Sequence, residues 1–229
     1  MIMLLIALLL PALGKTRDAA RDILCQSNLR QMGVGVQAYC DDHRYFPPGY
    51  LPGVAVWPTL VRAYTGGNTD VFYCPTAEPE TRWVVQYGSG QPASWGYDDD
   101  EVRLLTGGAG SMPFSYGHNN DGTDAGYPLP LGVGDTFGDG LRYVLSIQVM
   151  EPSQFFVIAD TLVDGVWDHF IDEDVPGEEP AVRHHDGAFF LTADIHVEWL
   201  IPGPFLDPAN TGANDPSYRR RWNNDNLPH

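Results

Sequence analysis

At 229 residues and 25.3 kDa the chain is long enough for one ordinary domain plus an extra helix. A net charge of −17 and a pI of about 4.5 argue against a nucleic-acid binder, because so acidic a surface repels phosphate backbones. Gly 25 and Pro 19 against 19% charged residues point away from a helical bundle and toward a loop-rich β architecture, and 12% aromatic residues are ample for a core.

The first element spans residues 1–42. It opens with an apolar run from Met1 to Leu13 that includes Leu4, Leu5, Leu8 and Leu9. The run is shorter than the roughly twenty residues a bilayer span needs. A buried core helix does not explain so many consecutive apolar positions. A secretory signal would be followed by a small-residue cleavage site and a loop, whereas here the helical pattern continues through Lys15 and Arg17. Pro11 removes one backbone hydrogen bond and loosens the helix locally.

Farther along, Leu29, Met32, Val36 and Tyr39 recur at steps of three and four, which sets them on one face for packing against a sheet. Arg17 with Arg21, and Asp18 with Asp22, form basic and acidic strips of the kind that usually face solvent. Gly33 and Gly35 each cost roughly 1 kcal/mol in a helix interior relative to Ala. Close approach of a strand is the expected compensation. Asp41 and Asp42, then Phe46-Pro47-Pro48-Gly49, stop the helix.

The apolar run, Pro11, the basic segment Lys15 to Arg21, and the Cys-x-x-Asn-Leu-Arg-Gln block from Cys25 to Gln31 stand in a familiar order. They resemble the N-terminal helix of the type IV pilin and type II secretion pseudopilin family, in particular the set found in planctomycete-like bacteria. A family member opens with a basic leader, a Gly-Phe cleavage site and a glutamate inside the apolar helix, none of which is seen here. The chain therefore reads as starting part-way into such a helix. The resemblance implies a helix that lies in the inner membrane before assembly and in a filament core afterwards.

Beyond the helix the signals are short. Residues 57–64 predict a short helix with Pro58 in its first turn. Residues 83–87 read as a weak strand, and the glycine- and acid-rich loop region across 88–140 contains one predicted strand at 114–117. Residues 141–149, 155–159 and 188–200 predict the best strands. One helix followed by antiparallel strands is an α+β arrangement, with a head domain over residues 43–229.

Three cysteines are too few for a disulfide scaffold and lack zinc spacing. Cys25 and Cys40 sit about 22 Å apart along one helix and cannot bond to each other. Cys74 could bond to either, or all three could be buried and reduced. The family resemblance covers Cys25 and the Cys74-Pro75 turn, which favours that pair.

The stretch 182–200 resembles the family's closing hairpin, a His separated by nine residues from an Asp-Gly turn. Here the His is His184 and the Asp is Asp194, but Ile195 replaces the glycine. That glycine would take the positive φ of a tight turn, which a β-branched residue adopts only with strain. Segments 155–160 and 219–229 also resemble family blocks. His184, His185 and His196 near Asp186 and Asp194 look superficially like metal ligands. Adjacent strand residues point to opposite faces, however, so the simpler expectation is that His184 and Asp194 bond across the hairpin with His196 exposed.

No serine-nucleophile elbow, zinc-protease helix, phosphate loop or dinucleotide fingerprint is present, so an enzyme reading has nothing to stand on. Calcium is the one cofactor to carry, since some pseudopilin heads bind it in a C-terminal loop. The candidates are Asp164, Asp168, Asp172 and Asp174, though their spacing does not match an EF-hand. The expectation is a non-catalytic pilin-like subunit whose partners are copies of itself and related pilins. The alternatives are a membrane-anchored extracytoplasmic binding protein that never polymerises and, with less behind it, a metallohydrolase.

Overall fold

In the computed structural model, residues 2–51, 55–82, 114–120, 132, 143–163, 170–172, 177–202 and 220–223 are described. The helical pattern of the opening residues produces one continuous helix, α1, from Ile2 to His43, about 63 Å long at 1.5 Å per residue. It runs straight through Pro11. It ends where Arg44 takes a left-handed φ of 72° and donates its N–H to the Cys40 carbonyl at 2.7 Å, a left-handed C-terminal cap. Among the described residues no helix is long and apolar enough to cross a membrane.

The two halves of α1 meet different surroundings. Leu9, Leu10 and Leu13 are exposed, as are Ile23 and Leu24. From Cys25 onward the inward face is sealed: Leu29 and Met32 are fully buried and Val36 nearly so. Each such side chain contributes roughly 1.5–3 kcal/mol by leaving water. Tyr39 is buried as well, but not on the sheet. It stacks on His43 at 4.1 Å between ring centroids and meets Tyr45 and Tyr64 edge-on, making an aromatic cluster at the helix end. The helical period therefore identified the buried face correctly but assigned its last residue the wrong neighbours.

Two short strands, β1 (Tyr50–Leu51) and β2 (Ala55–Val56), pair antiparallel and lead into the short helix α2, Trp57–Arg62. Gly35 lies against α2 and the turn after it. A Cβ there would meet Val61 Cγ1 at 2.8 Å and Thr65 Cγ2 at 3.0 Å. Gly33 instead faces the sheet, where a Cβ would meet Leu191 Cδ1 at 2.9 Å and Ile195 Cγ2 at 3.0 Å. Strand approach thus accounts for Gly33, and helix approach for Gly35.

The main sheet contains β3 (Tyr116–Asn119), β4 (Phe156–Asp160), β5 (Phe170–Ile171), β6 (Ala188–Thr192) and β7 (Val197–Leu200), in the order β5-β3-β4-β6-β7. All pairs are antiparallel except β3 with β5, where His118 lies opposite Phe170 in a parallel register. The sheet is therefore mixed, which corrects the expectation of a purely antiparallel one. The fold is α+β, with the long helix packed on a five-stranded sheet.

Alternation on β6 sends Phe189 and Leu191 toward the core under α1, and Ala188 and Phe190 toward a second cluster. That second cluster is closed by Trp222, fully buried against Phe156 and Phe190. Asn119 holds it in place, its Nδ2 donating to the carbonyls of Phe156 at 2.8 Å and Trp222 at 2.9 Å. Residues 143–149, expected as a strand, make only an isolated bridge from Leu145 to Tyr45, then a 3-10 turn at Ser146–Gln148. The Gln148 side chain accepts from the Leu145 N–H at 2.6 Å, which curls the segment before a ladder can extend. The candidate strand at 83–87 lies outside the described residues.

Candidate functional site

The site with most chemistry joins the middle of α1 to the start of β6. Cys25, on the buried face of α1, forms a disulfide with Cys74 of the Cys74-Pro75 turn, the Cα atoms being 5.3 Å apart. Both cysteines are fully buried, and the Cys74 N–H donates to Ser115 Oγ at 2.8 Å. The link spans 49 residues, for which loop-closure entropy gives about 4 kcal/mol of stabilisation. The third cysteine, Cys40, is free and buried, and burial followed by the nearby Asp41 charge pushes its thiol up to about 12. It is an inert core residue.

His184 lies beside this disulfide, its Nε2 3.4 Å from Cys74 Sγ, 3.4 Å from Thr76 Oγ1 and 3.4 Å from Asp160 Oδ2. Its Nδ1 is 2.7 Å from Asp22 Oδ1, one helical turn before Cys25. The His184 side chain is completely buried, and so is Asp160, which ends β4 and also accepts the Phe189 N–H at 3.1 Å. Burial alone would lower the imidazole pKa. The hydrogen bonds and charges of Asp160 and Asp22 outweigh it and hold His184 above its ordinary value. The ring thus lies between two carboxylates, which favour its protonated form.

The turn that presents His184 is tight. His184 and Gly187 exchange backbone hydrogen bonds at 2.9 and 3.1 Å, while His185 and Asp186 between them have φ of 53° and 62°. That is a type I′ hairpin turn built without the usual Asn-Gly pair. Two contacts hold it. His185 Nε2 lies 2.9 Å from Asp22 Oδ2, so one carboxylate of α1 takes both histidines. Trp199 of β7 lies over Gly187 and donates its indole N–H to the His184 carbonyl at 2.6 Å.

This geometry corrects two expectations. His184 and His185 do not diverge to opposite faces, because they occupy a turn and not a strand. Asp22 does not face solvent in an acidic strip, its side chain being only 16% exposed.

Asp194 and His196 lie at the other end of β6, away from His184. Asp194 Oδ1 accepts from Thr192 Oγ1 at 2.6 Å and from the His196 N–H at 3.1 Å, stabilising the β6–β7 turn, and His196 is exposed. The expected His184–Asp194 bond is therefore replaced by two separate sets of contacts, one at each end of the strand. Ile195 does adopt the positive φ, at 70°, and its side chain reaches Gly33 of α1.

The other predicted residues can be placed briefly. Leu29, Met32 and Val36 belong to the main core. Leu4, Leu5 and Leu8 lie on α1, as do Leu9, Pro11 and Leu13, all three of which are exposed. Met1 lies outside the described residues, and so do Asp164, Asp168 and Asp174 of the candidate calcium set; Asp172 is buried and donates its N–H to the Glu178 carbonyl at 3.0 Å. Asp22, Thr76 and Asp160 carried no signal in sequence as partners of His184. The apolar run of residues 155–159 places Asp160 at a strand end, but only the sheet register reveals what it faces.

A family model described as a protein of unknown function, DUF1559, matches residues 14–86. The match covers the second part of α1 through the Cys74 turn, and it loosely fits the pilin-like resemblance of the N-terminal helix. No curated protein and no solved structure gives a match.

Proposed function

We propose that this chain is a structural subunit that assembles through α1 into an extracellular filament of the pilus or pseudopilus kind. The carrying observation is the division of one 42-residue helix into two parts. One is embedded in the head by Leu29, Met32 and Val36. The other presents Leu9, Leu10, Leu13, Ile23 and Leu24 to solvent. An apolar surface of that size on a rigid rod is stabilised by burial against like rods, at about 25 cal/mol per Å². In this reading the helix is held in the inner membrane before assembly, and copies of the chain or related pilins are its partners afterwards. The acidic head faces outward and carries no catalytic role.

The test compares the full chain with a chain lacking residues 1–20, by sedimentation and electron microscopy. Filaments or large ordered assemblies of the full chain, and a monodisperse shortened head, are expected. Replacing both Ile23 and Leu24 by Glu should abolish assembly while leaving the helical circular dichroism intact. A full chain that stays monodisperse under all conditions that keep the head folded would favour the anchored, non-polymerising binding protein instead.

A further inference from the structure

The sulfurs of Cys25 and Cys74 and a ring nitrogen of His184 lie within 4.8 Å of one another, and all three residues are buried. Their disulfide occupies a place with two features a disulfide does not require. The first is the imidazole. Its Nδ1 is fixed by the Asp22 carboxylate at 2.7 Å, and its Nε2 is directed at Cys74 Sγ at 3.4 Å. A carboxylate holding one ring nitrogen so that the other meets a ligand is the outer-shell arrangement of metal-binding histidines. The second is Asp160. It is fully buried, and its Oδ1 has no hydrogen-bond partner among the described residues.

The spacing agrees as well. In a tetrahedral zinc site, bond lengths of about 2.3 Å to sulfur and about 2.0 Å to nitrogen set neighbouring S and N ligands about 3.5 Å apart. Two thiolates on such an ion lie about 3.8 Å apart by the same geometry, so only a small opening of the former disulfide is needed. Asp160 Oδ2, 3.4 Å from Nε2, and the Thr76 hydroxyl, 2.9 Å from Cys74 Sγ, border the fourth position.

We propose that Cys25, Cys74 and His184 form a site for a thiophilic divalent cation of the zinc class, which the disulfide closes and reduction opens. A dithiol reductant supplies two electrons and two protons, cleaves the S–S bond to two thiols and leaves as its own disulfide. The cation then takes the two sulfurs and Nε2, releasing the thiol protons and any proton on Nε2 to solvent. Either way the α1 rod stays bound to the head, by a covalent bond in an oxidising compartment and by a metal in a reducing one. This inference is independent of filament assembly.

The experiment titrates cobalt(II), then zinc, into the full chain purified in mild detergent, with and without prior dithiol reduction. The reduced chain should take up one ion and develop a sulfur-to-cobalt charge-transfer band that zinc abolishes, whereas the oxidised chain should show no band. Cys74→Ser and His184→Ala should lose the site, and Cys40→Ser and His196→Ala should keep it. Asp22→Asn should retain the band but bind 10- to 100-fold more weakly, because Asp22 orients the ligand and does not touch the metal. If reduction alone melts the helix, zinc should restore its circular dichroism in the parent chain and not in His184→Ala. A folded reduced chain without the band, a melted one that zinc does not restore, or a band that depends on Cys40 would overturn the proposal.

Discussion

Asp22 on α1 and His184 at the head of β6 meet at 2.7 Å although 162 residues separate them. They join the rod to the head at the level of the disulfide, and His185 adds a second contact to the same carboxylate. Replacing His184 by Ala leaves the buried Asp160 carboxylate and the largely buried Asp22 carboxylate without their imidazole partner. Breaking one partner of a buried pair costs about 3–5 kcal/mol. We expect a loss of about 3 kcal/mol for His184→Ala by denaturant unfolding under non-reducing conditions. Asp22→Asn keeps an acceptor and should lose about 1 kcal/mol. Equal losses for both would show that the charge of Asp22, not its hydrogen bond, holds the turn.

Gly187 has no room for a side chain. A Cβ would lie 2.4 Å from Trp199 Cε2 and 2.5 Å from its Nε1. Gly187→Ala must push the indole away and break its bond to the His184 carbonyl. A cost of about 2 kcal/mol follows from overpacking and the lost hydrogen bond. The tryptophan emission should shift to the red as Trp199 is displaced, and an unchanged spectrum with unchanged stability would show that the ring can slide aside freely.

Ile195 retains a left-handed φ that costs a β-branched residue about 1–2 kcal/mol, and its Cγ2 rests over Gly33. Ile195→Gly relieves the strain and empties the space above Gly33, so its stability should fall within about 1 kcal/mol of the parent. Gly33→Ala should be better tolerated in that background than alone. A double-mutant cycle with coupling of about 0.5 kcal/mol or more would establish the contact, and additivity would remove it.

Asp194 provides a pH test at the opposite end of β6. Partial burial pushes its carboxyl up, but the Thr192 hydroxyl, then the His196 amide and side-chain charge, outweigh that and hold it below its ordinary value. A depressed folded value means the group adds stability above the unfolded carboxyl pKa of about 3.9. That contribution disappears as the pH falls through the lower folded value. The stability difference between the parent and Asp194→Asn should therefore be present at neutral pH and shrink in acid. A difference that is constant down to strong acid would mean the turn does not depend on the carboxylate charge.

How much of this was legible beforehand depends on how far apart the partners lie in sequence. Leu29, Met32 and Val36 are local in period, and the strands within 155–160 and 188–200 are local in their short apolar runs, so both were readable. The pair Phe170–Ile171 is too short to carry a period, and its parallel pairing with β3 depends on a crossover that no local signal encodes. His185 and Asp186 in a type I′ turn run against residue preference, so the sequence pointed to a strand there. Asp22 looked like half of a solvated strip because nothing along the helix hints at a histidine from the far end of the chain. Tertiary contacts decided that residue, not propensity.

Trp222 has a consequence for the order of events during synthesis. Phe156 and Phe190 are made before the side chain that covers them, since Trp222 follows Phe190 in the chain. Until residues 220–223 emerge, Phe156 and Phe190 lack the indole that closes their cluster, on a molecule whose rod is already apolar at its other end. A nascent chain thus exposes two apolar surfaces, and the arrival of Trp222 covers the one on the sheet. Interrupted synthesis would release a head prone to stick through the wrong face.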